Sequence, residues 1–200
     1  MMVDLFPKDR LLKLVADQIN NCTECELCKD SGKKVPGEGN RNAEIVLCGE
    51  APGAKESELG IPFVGRAGKL LDNMIKAMGY KREDLYILNT VKCRPPNNRN
   101  PEPAEIESCA KYLDMQLQII DPFLIIALGA VASDRLLSET VGQSLSSRRG
   151  KIHSLCIDKS RYNVICTYHP AYLLRNPAAK AEAHKDLTLV KNTIDEWHAL

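Results

Sequence analysis

Residues 44–68 read EIVLCGEAPGAKESELGIPFVGRAG, and the fold is decided there. Ile45, Val46 and Leu47 make a continuous apolar run of strand length, which Gly49 stops. The GEAPG turn at 49–53 then sets a carboxylate, Glu50, at the carboxyl end of that strand, where open α/β sheets bind ligands. Gly49 and Gly53 leave no Cβ in the way, so backbone N–H groups can approach a ligand closely, with Ala51 between them. On its own the turn serves equally well as a plain strand-to-helix connection. A second glycine-flanked turn around Pro62 and Phe63 leads into a helix expected over 66–78. Leu70, Leu71, Met74, Ile75 and Met78 share one of its faces, and Gly79 supplies a stop.

Upstream, Leu11, Leu12, Leu14, Val15 and Ile19 fall at helical spacing over 9–21. That helix runs into Cys22, Cys25 and Cys28, and a Cys-x-x-Cys pair lets two thiolates converge on one metal from a tight turn. Residues 35–40 read as a loop. Downstream, a strand over 85–88 ends at Asn89, and the Pro/Asn-rich stretch 90–103 is a long loop holding Cys93, Arg94 and Arg99. A helix over 103–120 follows, with Glu105 and Glu107 in its early turns and Cys109 and Tyr112 further on. The apolar run 123–128 is the third core strand; Gly129 ends it, and a helix follows to 137. Residues 138–151 read as a polar loop, 152–157 as a minor strand and 164–166 as the last core strand. HPAYLLRNP comes next at 169–177, then a terminal helix with Leu187, Val190, Ile194 and Trp197 facing the core. Strands alternating with helices indicate a parallel sheet covered on both faces. Glu50, Asn89, Gly129 and His169 then share one edge of it.

The 200 residues, 44% apolar and 26% charged, suit one domain with a sizeable core. A net charge of +1 argues against a broadly basic nucleic-acid binder and leaves room for a local basic face. No apolar run reaches the roughly 18 residues of a membrane span. The opening MMVDLFPKDRLLKLV lacks a basic n-region, so no signal peptide and a cytoplasmic location are expected. Eight cysteines in a reducing compartment point to metal ligands or small core residues rather than disulfides. Cys48, Cys156 and Cys166 sit in strand-like apolar contexts and read as core.

The set GEAPG, GIPFVGRAG, NTVKCRPPNNRNP and YHPAYLLRNP resembles the family 4 uracil-DNA glycosylases, which carry an iron–sulfur cluster. The likeness covers about residues 20–192, with the motifs in family order. It implies a three-layer α/β/α fold around a central four-stranded parallel sheet. It also implies one domain over 1–200, with a cluster-binding segment at about 20–30. The activity implied is excision of uracil from DNA by a monofunctional enzyme acting as a monomer on single- or double-stranded uracil-containing DNA. Lys55, beside the GEAPG turn, would otherwise suggest Schiff-base lyase chemistry.

Excision takes the base out of the stack into a pocket that reads its face and edge. Phe63 is the stacking platform on this likeness, or else a core phenylalanine. The Asn89 amide can accept from uracil N3–H and donate to O4, a pattern cytosine does not match. His169 can donate to O2, where charge develops as the bond breaks. Glu50 would orient water or steady the cationic sugar, with Glu56 the competing carboxylate. Gly49, Ala51 and Gly53 complete the substrate contacts. Leu173 or Leu174 could wedge into the vacated stack. Arg66, Lys92, Arg94, Arg99, Arg148, Arg149, Lys151 and Arg175 lie in loops that could hold phosphates. Cys22, Cys25, Cys93 and Cys109 match the family's ligands for a [4Fe–4S] cluster with a structural role, although an all-thiolate set also suits zinc. Cys28 is a third candidate for the first two places. A non-catalytic iron–sulfur nucleic-acid-binding module and an electron carrier are the rival functions.

Overall fold

The computed structural model describes residues 7–199; the first six residues of the stretch weighed as a leader lie outside them. In chain order the elements are α1 (Lys8–Asn20), β1 (Glu38–Gly39), β2 (Ile45–Gly49), α2 (Ala54–Leu59), α3 (Arg66–Ala77), β3 (Tyr86–Asn89), α4 (Pro103–Ile120), β4 (Leu124–Leu128), α5 (Ala130–Leu136), α6 (Leu145–Arg148), β5 (Ile152–Ile157), β6 (Ser160–Thr167), α7 (Pro170–Arg175) and α8 (Lys180–His198). All the strands join one sheet in the order β1-β3-β2-β4-β6-β5. β3, β2, β4 and β6 run parallel, and β1 and β5 pair antiparallel at the two edges. The expected parallel sheet is therefore the centre of a wider one.

Every residue of β2, β3 and β4 is buried, as strands covered on both faces require. Successive side chains point to opposite faces. Val46, Cys48, Leu88, Ile125 and Val164 pack under Leu12 of α1, Leu113 and Leu117 of α4 and Leu136 of α5. Ile45, Leu47, Ile87, Ile126 and Ile165 pack under Leu71 and Ile75 of α3 and Leu187 and Val190 of α8. This is a three-layer α/β/α arrangement. Among the described residues, no helix is long and apolar enough to cross a membrane.

Four local readings need correction. Glu38 and Gly39, within the expected 35–40 loop, form an edge strand against β3. α2 occupies what reads as turn, because AKESEL has too few apolar residues to show a period; Gly60, at φ +82°, ends it. α6 interrupts the polar 138–151 segment, and the Ser144 side chain caps it by accepting from the Ser147 N–H. β6 begins at Ser160 rather than at 164, since its first half alternates polar and apolar residues against the edge strand β5. Trp197 is half-buried and stacks on Phe123, with ring centroids 4.2 Å apart.

Candidate active site

Strand register brings the chemistry together. Gly49 pairs with Asn89 across β2 and β3. Beyond the strands, the Gly49 carbonyl accepts from both the Thr90 N–H and the Thr90 hydroxyl, each at 2.9 Å, and the Glu50 carbonyl accepts from the Val91 N–H at 3.1 Å. Glu50 and Asn89 are thus held side by side. On the other flank, Gly129 N–H donates to the Thr167 carbonyl at 2.9 Å, just before His169. A cavity of about 380 Å³ opens at this edge, and Glu50, Ala51, Gly53, Phe63, Asn89 and His169 all line it. Gly49 lies behind this lining, packed against Phe63 and Asn89. A Cβ there would lie 2.5 Å from Phe63 Cζ and press on the Asn89 carboxamide oxygen.

Phe63 is buried and sits at φ +51°, a conformation that costs a non-glycine residue roughly 1–2 kcal/mol. Its ring centroid is 5.7 Å from that of His169. The turn is held open by Glu56, whose Oε1 accepts from Val64 N–H at 3.0 Å and from Gly65 N–H at 2.8 Å. Gly53 leaves room for this carboxylate, since a Cβ there would lie 2.7 Å from Glu56 Oε2. Glu56 lines the cavity beside Glu50, but its Oε1 is committed to the backbone. Burial pushes the Glu50 carboxyl above its ordinary 4.5, and the Arg175 guanidinium pulls it part of the way back.

Asn89 is 1% exposed, and its Oδ1 has no hydrogen-bond partner among the described residues. A buried acceptor left unpaired costs about 1–3 kcal/mol, so the site is poised for a donor. His169 Nδ1 accepts from the Ala171 N–H at 3.1 Å, which leaves the ring proton of the neutral imidazole on Nε2. Burial lowers the His169 pKa to about 4, with Arg175 adding to the shift and Glu56 opposing it. At neutral pH it is an uncharged donor.

Other assignments part company with the structure. Leu173 is 1% exposed inside the core under α3 and α8, so of the two wedge candidates only Leu174, at 36%, stands at the surface. Lys92 is fully buried, and its Nζ donates to the Asn89 carbonyl at 2.8 Å. Arg148 is buried against Asp134 (2.6 Å), and Arg149 against Asp186 (2.7 Å). Arg99 makes a two-pronged pair with Glu105, at 2.8 and 2.6 Å. Lys92, Arg148 and Arg149 brace the fold from buried positions, whereas Arg99, paired with Glu105, stays partly exposed in the cavity lining. Arg66 and Arg175 are exposed, Arg94 is half-buried with its Nε on Asn98 Oδ1 (2.8 Å), and exposed Lys151 donates to the Ser147 carbonyl (3.0 Å). Lys55 is exposed on α2 and outside the cavity lining. Sequence reading missed Pro95, Asn98 and Asn100 in the cavity lining, where Arg99 of the same loop joins them. Their one local signal was PNN, whose two asparagines take φ +53° and +52°.

A second, smaller cavity lies between the end of α1, the 90–93 segment and α4. Cys22, Cys25, Cys28, Cys93 and Cys109 all line it, with Ile19, Leu27, Val91 and Lys92. Cys22 packs beside Cys109, and Cys25 beside Cys93 and Cys109, whereas Cys28 also opens onto a neighbouring surface hollow. Among the described residues no group of three His, Cys, Asp or Glu side chains is placed to hold a single metal ion. Burial pushes the Cys93 thiol up to about 11, with a hydrogen bond from Ser31 and the Lys34 charge opposing the shift. Of the cysteines read as core, Cys48 and Cys166 are buried; Cys156 is exposed on the edge strand β5, where alternate side chains face out.

Fold and site together define an α/β protein with a cavity at the carboxyl edge of its parallel strands, lined by an aromatic ring, two carboxylates, a carboxamide and an imidazole. The family described as the uracil DNA glycosylase superfamily matches residues 36–191. A type-4 uracil-DNA glycosylase of Saccharolobus solfataricus is 44% identical over 92% of this chain and 86% of its own length. One from Pyrobaculum aerophilum is 42% identical over 89% and 92%, and one from Thermotoga maritima 43% over 86% and 88%. The chain belongs to the uracil-DNA glycosylase superfamily, in its type-4 family.

Proposed function

We propose that this chain hydrolyses the N-glycosidic bond of deoxyuridine in DNA, as a monofunctional glycosylase of base excision repair. The observation that carries it is the Asn89 amide: a buried, unpartnered acceptor in the same cavity as Phe63 and the Nε2–H of His169. An extruded uracil stacks on Phe63, gives N3–H to Asn89 Oδ1 and accepts at O4 from Nδ2. As the bond to C1′ breaks, its electrons pass to the base, and His169 donates to O2 where that charge gathers. Glu50, as the carboxylate, steadies the cationic sugar and takes a proton from the water that adds to C1′. Leu174 is the wedge, and Arg66, Arg94 and Arg175 are the phosphate contacts. A non-catalytic binding module would have no use for the Glu50, Asn89 and His169 set.

The cysteine cavity is the seat of a [4Fe–4S] cluster in this proposal, held by Cys22, Cys25, Cys93 and Cys109 with Cys28 alongside. A four-iron cluster gives each thiolate its own iron, so it needs separated thiols around an apolar space, unlike a single ion. Lys92 supports an anionic occupant. Its amine is buried with no carboxylate in ion-pair range among the described residues; burial lowers its pKa and neighbouring thiolates at Cys109 and Cys48 pull it back up, so anionic sulfur nearby favours its charged form. Held there, the cluster would have a structural role, with its four cysteines tying α1 and the 22–28 segment to α4 and the 90–103 loop. The protein works as one domain and as a monomer, in the reducing cytoplasm that suits eight cysteines.

The test is a uracil-containing oligonucleotide incubated with the protein and then treated with alkali, beside an iron and zinc analysis. A break at the uracil, with iron in excess of zinc, is expected. An intact strand contradicts the activity, and zinc alone contradicts the cluster.

A further inference from the structure

The cavity's aromatic wall is the part of the site least able to hold itself. Phe63 is at φ +51°, which side-chain-bearing residues keep only where the surroundings over-determine it. Its N-terminal neighbours are tied by a residue outside the cavity lining. Arg82, in the turn before β3, donates from Nη2 to the Pro62 carbonyl and from Nη1 to the Phe63 carbonyl at 3.3 Å. The same guanidinium reaches Asp72 of α3 at 3.1 Å and Glu38 of β1 at 3.3 Å. From the other side, Glu56 accepts from the N–H groups of Val64 and Gly65. Gly68, the third residue of α3, lets the helix close on this turn, since a Cβ there would collide with the Phe63 carbonyl oxygen.

We infer that Arg82 is a positioning residue for base recognition: it clamps the carbonyls of residues 62 and 63 and so holds the Phe63 ring against the cavity. A planar guanidinium suits this task, because its donors are fixed in a fork that can span two successive carbonyls while also serving two carboxylates. The Asp72 and Glu38 side chains are 41% and 44% exposed, so these ion pairs are screened by water and do little besides orienting the fork. The carbonyl bonds carry the effect. Without them residue 63 relaxes to negative φ, and its ring leaves the face of the ligand.

The inference rests on the uracil reading of the cavity, and the experiment separates the two. Single-turnover excision of uracil and affinity for an oligonucleotide with a stable abasic analogue are measured for the intact chain and for Arg82→Gln, Arg82→Lys and the double change Glu38→Gln with Asp72→Asn. Arg82→Gln should slow excision by about 10²-fold, the scale of a misplaced contact. Abasic-site binding, which leaves the pocket empty of base, should change less than about twofold. Arg82→Lys should fall between, and the carboxylate pair should stay near the parent. If Arg82→Gln fails to fold, the lysine variant decides: parental excision by it overturns the inference. So does a loss of excision matched by an equal loss of abasic binding, or a carboxylate double variant as slow as Arg82→Gln. A further readout does not need activity. The chain has three phenylalanines, and after fluorophenylalanine labelling the Phe63 resonance should shift in Arg82→Gln. An unmoved Phe63 signal contradicts the clamp, whereas an intact chain that excises nothing contradicts only the uracil reading.

Discussion

The cavity at the strand ends is held by the sheet, and the cysteine cavity is held by segments that lie outside it. Around the first, parallel pairing of β2 with β3 and of β4 with β6 runs on past the strand ends through Gly49, Thr90 and Gly129. Glu50, Asn89 and His169 are therefore fixed by the most deeply buried part of the molecule. Around the second, the 22–28 segment is held by Leu27 packed with Val91 and Cys93, by Lys34, which donates to the carbonyls of Asn20 and Cys22, and by the Lys111–Glu24 ion pair. A site built on the sheet is formed before its ligand arrives. A site built on such a segment needs its occupant to complete it.

That contrast makes separable predictions. Glu50→Gln should cost the most, about 10²–10⁴-fold in excision, with folding and iron content unchanged. Because the Glu50 carboxyl is raised above 4.5 and must be ionised, activity should rise with pH through that raised value. His169, neutral above about 4, should not limit it there. A pH–rate profile checks this: the acid limb should vanish in Glu50→Gln, and a limb that persists would assign it to another group. Gly49→Ala should come next, near 10²-fold, because the added methyl displaces both the Phe63 ring and the Asn89 amide. Iron content, measured on the same sample, should not move; a parallel loss of iron would mean the two cavities are not independent. Cys93→Ser should act the other way round. The visible absorption of the cluster should disappear and the melting temperature drop by several degrees, while excision by the remaining folded protein changes less than about tenfold. Excision abolished in folded, iron-free protein would break the comparison.

The first cavity was legible from sequence because its parts sit at punctuation marks: a strand of Ile, Val and Leu ended by Gly49, another ended by Asn89, and a histidine before Pro170. Apolar runs and their stops are local signals, and parallel topology does the rest. The task of Glu56 was not legible, since accepting two backbone N–H groups eight and nine residues away leaves no mark in the pattern. The basic face misled for a related reason. Arg148, Arg149 and Lys92 look like surface cations in a loop sequence, and only partners brought up by folding, Asp134, Asp186 and the Asn89 carbonyl, turn them inward. Leu173 and Leu174 are neighbours in sequence, but α7 buries the first and leaves the second at the surface, which so short a helix does not announce in its pattern.

The measurement closest to the centre of this account is base choice by Asn89→Asp. A carboxylate in place of the amide loses the donor to O4 and accepts at both oxygens, so it favours the exocyclic amine of cytosine over the O4 of uracil. The ratio of uracil to cytosine excision, taken on otherwise identical oligonucleotides, should fall by an order of magnitude or more, about what one lost or reversed hydrogen bond in a buried site is worth. A ratio equal to that of the unmodified chain would mean that residue 89 does not read the base.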